Sequence, residues 1–359
     1  MTDKKRILAR FSGEASEGPL YLPDLTLWYR HHQSRNTLPE EWKNHSLPEI
    51  TKSLAMPTWL VTRPWKLETP GMQTIEQDGK RETRFETSAG VLTANWTLGA
   101  DGTWWQIEYP VKTAEDLEAA LEVVRSRSYT LDTTKLEGLE AAVGDEGVLV
   151  IEIPTRPYMD LLYGFLGLSE GFMLLSEDHP SVREIIEILE TKLQQFIQEI
   201  ASLPGSIVFS HDNLDGQFIS PMVFQKFLSN SYRLTAEVLH AHDKYLLVHT
   251  GGPIRPLLAP LAETGVDGIE GISGPPQSDV SLSQAREISG STFTLWGGIP
   301  QDFLLAAHDE EAFETSVIQA AQEAQADGRM ILGVADQVPA DVDLSRLKAI
   351  SSLVEQTRV

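Results

Sequence analysis

Residues 207–216 read Ile207-Val208-Phe209-Ser210-His211-Asp212-Asn213-Leu214-Asp215-Gly216. A short apolar run stops at a polar cluster. The pattern recurs downstream: Tyr245-Leu246-Leu247-Val248 stops at His249-Thr250-Gly251-Gly252, and Val266-Asp267-Gly268-Ile269 at Glu270. Thr292-Phe293-Thr294-Leu295-Trp296 stops at Gly297-Gly298, and Met330-Ile331-Leu332-Gly333-Val334-Ala335 at Asp336. With the run over 148–153 there are six such stretches, most of them apolar on both faces, as in buried parallel strands. Helical patterns separate most of them. Over 181–200, Val182, Ile185, Ile186, Leu189, Leu193, Phe196 and Ile197 recur at three- and four-residue steps behind Pro180. Ser220-Pro221 opens a second helix running toward His242, and 313–326 reads as a third. Strands joined by crossover helices predict a parallel sheet.

Upstream, Gly18-Pro19-Leu20-Tyr21-Leu22 and Thr58-Trp59-Leu60-Val61-Thr62 supply two further strands. Eight would close a (β/α)8 TIM barrel. An open doubly wound sheet is the alternative, but no Gly-x-Gly-x-x-Gly follows any of these strands. Between 67 and 108 the pattern becomes β-rich. Arg84-Phe85-Glu86-Thr87, Gly90-Val91-Leu92-Thr93 and Trp104-Trp105-Gln106-Ile107 read as strands, with a turn at Gly99-Ala100-Asp101-Gly102. Thr113, with Glu115 and Asp116 behind it, caps a helix. The expectation is one barrel domain over 1–359 with a β-rich insertion at 67–108.

Composition narrows the function. Of 359 residues, 29 are Lys or Arg and 52 are Asp or Glu, a net charge of −23. Such a surface repels phosphate backbones and anionic lipid, which argues against nucleic-acid and membrane partners. No apolar run approaches the ~20 residues of a membrane span. Met1-Thr2-Asp3-Lys4-Lys5-Arg6 is followed by no apolar signal core, so the expected location is cytoplasmic. Cysteine is absent, which removes disulfides, thiolate metal sites and cysteine nucleophiles.

In a parallel barrel the carboxyl ends of the strands converge on one face, and that face carries the site. Asp212, His249, Glu270 and Asp336 are therefore expected to face one another. One imidazole and three carboxylates could hold a divalent metal, or serve as general acids and bases whose pKa values push one another apart. Taken singly, an acid after a strand is more often a cap and a lone histidine a packing residue. Their recurrence at successive strand ends favours function. His211 is expected to face away from Asp212, because neighbouring strand residues alternate. His31 and His32 are read as solvated helix residues. Trp28, Trp59, Trp65, Trp104 and Trp105 are read as packing residues.

Several of these segments together resemble the uroporphyrinogen decarboxylase superfamily. The carriers are the 211–216 stretch, Ile219-Ser220-Pro221, Leu247-Val248-His249-Thr250-Gly251-Gly252 and Gly265-Val266-Asp267-Gly268-Ile269-Glu270. Gly297-Gly298-Ile299-Pro300, Ile331-Leu332-Gly333, Glu86-Thr87-Ser88-Ala89-Gly90 and the Tyr109–Asp116 stretch are similar to family segments as well. The resemblance implies a (β/α)8 barrel and either decarboxylation of a tetrapyrrole or methyl transfer with a corrinoid protein. Thiol-directed methyltransferases of the group hold zinc through a His-x-Cys pair and a later Cys. Here His249 matches the histidine, Gly251 stands at the first cysteine, and Asp336 falls near the second. Any ion, zinc first, would then rest on His249, Glu270 and Asp336. The decarboxylases' arginine-rich segment is not recognisable over 20–30, although Arg63 and Arg156 could supply positive charge. Glu270 followed by Pro275-Pro276 and Asp279-Val280 looks like the divergent members associated with methyl transfer.

The expected activity is methyl transfer between a small substrate and a corrinoid on a separate protein, with Asp212, Asn213, Asp215 and His249 orienting the substrate or moving protons. A decarboxylase without a metal, using Asp212 or His249 to protonate a carbanion, is the first rival. A binding protein on the same barrel, without catalysis, is the second.

Overall fold

The computed structural model describes residues 1–14, 18–99, 102–176, 179–325 and 327–357. The chain separates into two compact units. The first comprises Met1–Arg63, Thr134–Ile153 and Ile200–Val359, and the second Pro64–Thr133 and Pro154–Glu199. In chain order the strands are β1 (Thr58–Thr62), β2 (Trp65–Glu68), β3 (Met72–Gln77), β4 (Lys80–Glu86), β5 (Val91–Leu98), β6 (Trp104–Glu108), β7 (Ser128–Leu131), β8 (Gly147–Ile153), β9 (Ile207–Leu214), β10 (Tyr245–Thr250), β11 (Gly268–Ile272), β12 (Thr294–Pro300) and β13 (Met330–Ala335).

The first unit is an α/β fold built on a parallel sheet of seven strands, ordered β1-β8-β9-β10-β11-β12-β13. Every residue of β8, β11 and β13 is buried, as apolar character on both faces requires. Alternate residues point into one core: Trp59 and Val61 from β1, Val148 and Val150 from β8, Phe209 from β9, Leu247 from β10, Trp296 from β12 and Ile331 from β13. Strands from the two ends of the order share this core, so the sheet curls on itself. Trp59 meets Trp296 there, ring centroids 4.5 Å apart and nearly perpendicular. Helices Ser229–His240, Arg255–Ala262, Leu282–Ser289 and Glu310–Gln325 alternate with the later strands.

The predicted strand at 18–22 is only a bridge. Leu22 N–H donates to Leu332 O and Leu332 N–H to Leu20 O, both 2.8 Å, giving one parallel pairing of Tyr21 with Leu332. Pro19 and Pro23 bracket it, and each lacks a donor, so it cannot lengthen. Among the described residues no ladder joins it to β1. The helix expected from 220 toward 242 is two, Pro221–Phe227 and Ser229–His240. The helix expected over 313–326 runs Glu310–Gln325, and Ala326 lies outside the described residues.

The second unit carries an antiparallel sheet ordered β3-β4-β5-β6 and a separate pair, β2 with β7. Phe85, Leu92 and Ala94 are its buried face. The strands expected at 84–87 and 90–93 extend to β4 and β5. β3 went unread because all six of its residues are exposed, leaving no alternation to see. Gly99 N–H donates to Thr103 O at 2.8 Å at the expected turn, of which Ala100 and Asp101 lie outside the described residues. Thr113 forms a capping box with Asp116 ahead of helix Leu117–Ser126. Trp28, Trp59 and Trp65 are buried, whereas Trp105 is 59 % exposed. Among the described residues no helix is long and apolar enough to cross a membrane.

Candidate active site

β10 places Leu247 in the core, so His249, two residues on, points to the same side. β11 lies beside it in register, with Glu270 opposite His249. β13 ends at Ala335, and Asp336 follows at its carboxyl end. Residues far apart in sequence thus meet: one ligand atom from each of His249, Glu270 and Asp336 lies within 4.8 Å of the others. His249 Nδ1 is 2.6 Å from Glu270 Oε2, and His249 Nε2 is 3.6 Å from Asp336 Oδ2. The side chains of His249 and Glu270 are 9 % and 6 % exposed, but that of Asp336 is 51 % exposed. The group is a buried pair opening through one accessible carboxylate.

Burial opposes charge on the His249 ring, but the carboxylates of Glu270 and Asp336, the hydrogen bond that the ring donates to Glu270 and the charge of Asp24 outweigh it. The ring is held charged above its ordinary range. Burial pushes Glu270 up, against the attraction and hydrogen bond of His249, and the charges of Asp336 and Asp24 add to the rise. Asp24 is a carboxylate that sequence reading missed. It sits between Pro23 and Leu25 in a segment with no strand or helix period to mark it. It is 5 % exposed, and burial raises its pKa.

Two expectations at β9 are reversed. Phe209 is in the core, so His211 faces inward and Asp212 outward. The His211 ring lies 4.2 Å from that of Phe209 and 6.0 Å from that of His249, centroid to centroid. Its Nδ1 is 3.7 Å from Glu152 Oε2, and Glu152 Oε1 accepts from Arg63 Nε at 2.9 Å. Burial lowers the His211 pKa, against the charge of Glu152. Asp212 is fully buried on the helix side of the sheet. Its Oδ2 accepts from Ser210 Oγ and Tyr232 OH, each at 2.7 Å. Of the four residues expected to converge, three do and Asp212 does not.

The other expected site residues, Asn213 and Asp215, shape the end of β9 and the turn that follows it. Asn213 has a left-handed backbone, φ 50°, and its Oδ1 fills the space a side chain at residue 251 would need. Glycine at 251 therefore admits the Asn213 amide. Asp215 Oδ1 accepts from Gln217 N–H at 2.7 Å, and its carbonyl from Phe218 and Ile219. Burial raises the Asp215 pKa, and its carboxylate packs on Gly252.

The converging donors suit a divalent ion. An imidazole nitrogen and two carboxylates are ligands zinc accepts, at ~2.0–2.2 Å each. His249 and Asp336, 3.6 Å apart at Nε2 and Oδ2, are the donors that would hold such an ion. Glu270, bonded to Nδ1, stands where a carboxylate orients a metal-binding imidazole.

A family model described as uroporphyrinogen decarboxylase (URO-D) matches residues 106–357. Among solved structures, a methyltransferase from Methanosarcina mazei is similar over 100 % of both chains, at 16 % identity and a TM-score of 0.62. A D-psicose 3-epimerase from Clostridium cellulolyticum H10, with D-tagatose, is 10 % identical over 63 % of this chain and 83 % of its own, with a TM-score of 0.38. No curated protein matches the sequence. The first structure shares this chain's fold from end to end.

Proposed function

The chain belongs to the uroporphyrinogen decarboxylase family, and from that premise we propose that it is an enzyme that moves a methyl group between a small substrate and a corrinoid carried by a separate protein. The observation that carries this reading is the meeting of His249, Glu270 and Asp336 at the carboxyl ends of β10, β11 and β13. The fold shared with a methyltransferase over the full length supports it. Closure of the sheet into a barrel through the 20–22 segment belongs to the same reading.

Zinc, or a similar divalent ion, would be held by His249 and Asp336, with Glu270 behind the His249 ring, and when bound it would supply a Lewis acid that polarises a substrate heteroatom. The chain's own groups do the rest. Glu270 accepts the Nδ1 proton of His249 and so fixes the ring and its tautomer. Asp336, the exposed member, meets the substrate first. The Asn213 amide, over Gly251, orients the substrate beside His249. Asp212, turned to Ser210 and Tyr232, supports the strand rather than touching the substrate.

One observation favours a second reading, a decarboxylase acting on a tetrapyrrole or other carboxylic acid without a metal. An imidazolium kept charged by Glu270 and Asp336 can deliver its Nε2 proton to a carbanion.

Elemental analysis of the purified protein, beside a His249→Ala/Glu270→Ala double variant, separates the two. We expect near-stoichiometric zinc in the parent, its loss in the variant, and methyl transfer to cob(I)alamin by the parent alone. No metal in the parent even after zinc is offered would sink the metal site, and turnover surviving exhaustive chelation would establish the second reading.

A further inference from the structure

Asp336 is half-exposed, so burial does not hold its carboxylate beside His249. Its place must come from the backbone on either side. Before it, the β12–β13 ladder runs to its last pair, Pro300 with Ala335. After it, Gln337 and Val338 are both bound by one residue. Asp24 Oδ2 accepts from Gln337 Nε2 at 3.0 Å, and the Asp24 carbonyl accepts from Val338 N–H at 2.9 Å. Asp24 is itself fixed. Its Oδ1 accepts from Thr26 N–H at 2.8 Å, and the residues before it are zipped to β13 through Leu20 and Leu22. Leu22 O also accepts from Trp296 Nε1 at 3.0 Å, which ties the segment to the core.

We propose that Asp24 is the positioning residue for Asp336, its two carboxylate oxygens and its carbonyl clamping the turn that carries the exposed carboxylate to His249. This rests on the reading of His249, Glu270 and Asp336 as the reactive centre. The division of labour between the oxygens explains why an acid serves here. One oxygen is committed to Thr26 and the other to Gln337, and a single side-chain acceptor would serve only one of them.

The test uses the full chain as Asp24→Ala, Asp24→Asn and Gln337→Ala. Asp343→Ala is the control, because it removes the cap of helix Leu344–Gln356 without touching the clamp. Zinc affinity is measured by chelator competition at a temperature where thermal unfolding shows each variant folded, and metal-free crystal structures are determined alongside. We expect Asp24→Ala to weaken zinc binding about 10- to 100-fold, as loss of a supporting partner does. Gln337→Ala should weaken it less, and Asp24→Asn should recover part of the loss, since the Gln337 amide can turn to accept from it. Asp343→Ala should leave affinity at the parent value while lowering stability. In the metal-free Asp24→Ala structure the Asp336 carboxylate should have left His249 Nε2. Parent-like affinity with Asp336 unmoved would overturn the assignment, as would an equal loss in Asp343→Ala. If Asp24→Ala does not fold, Gln337→Ala decides by the same criteria. A parent that binds no zinc would refute the metal reading separately, and the position of Asp336 in the metal-free structures would then settle this one.

Discussion

Phe209 determines which way its neighbours face. With its ring in the core, a two-residue period sends His211 inward and Asp212 to the helix side. Asp212 then needs donors of its own, and Ser210 and Tyr232 provide them. Tyr232→Phe removes one donor from a fully buried carboxylate, at a cost of about 1–3 kcal/mol. Urea denaturation should register that loss while zinc content and turnover stay at the parent value. A variant as stable as the parent but stripped of zinc would return Asp212 to the site. The sequence shows an acid after a strand at 212 and another at 336 in the same way. Only the parity set by Phe209 separates them, and parity depends on packing between strands that are not neighbours in sequence. His249 and Glu270 were legible because each follows an apolar run in a parallel sheet. Asp24 was not legible, because it follows a single bridge at Tyr21 in a segment with no strand or helix period.

Among the elements, the β1–β8 pair depends on how closely two backbones approach. A β-carbon on Gly147 would lie 1.9 Å from Thr58 O, inside the ladder where Thr58 faces Gly147. Gly147→Ala should therefore cost at least about 1–3 kcal/mol, since relief requires the strands to part. The expected readout is a lower urea midpoint with unchanged slope, and an unshifted midpoint would show that the ladder yields freely. Strands β8–β13 could be placed from sequence to within a few residues, because burial on both faces leaves continuous apolar runs. β3 and the bridge at Tyr21 could not. One is solvated along its whole length, and the other is defined by its partner, Leu332, more than three hundred residues away.

At the scale of the whole molecule, a net charge of −23 sets the long-range term. Like charges repel most in the compact state, and salt screens them, with a Debye length of ~30 Å at 0.01 M and ~8 Å at 0.15 M. The melting temperature should rise by about a few degrees between those ionic strengths. A fall would mean that surface ion pairs such as Lys52–Glu146 outweigh the general repulsion. By itself the sequence determined the class of fold, the family, the absence of thiol chemistry and the strand ends that carry His249, Glu270 and Asp336. The family follows from the resemblance of its segments, and the rest from local period and composition, which a chain carries in consecutive residues. The tertiary structure alone decided that Asp212 turns away, that His211 turns in, that Glu270 holds the His249 ring and that Asp24 stands behind Asp336. Each of these depends on which residues from distant segments share one face of the curled sheet, and that is settled only when the core closes around Phe209, Trp59 and Trp296.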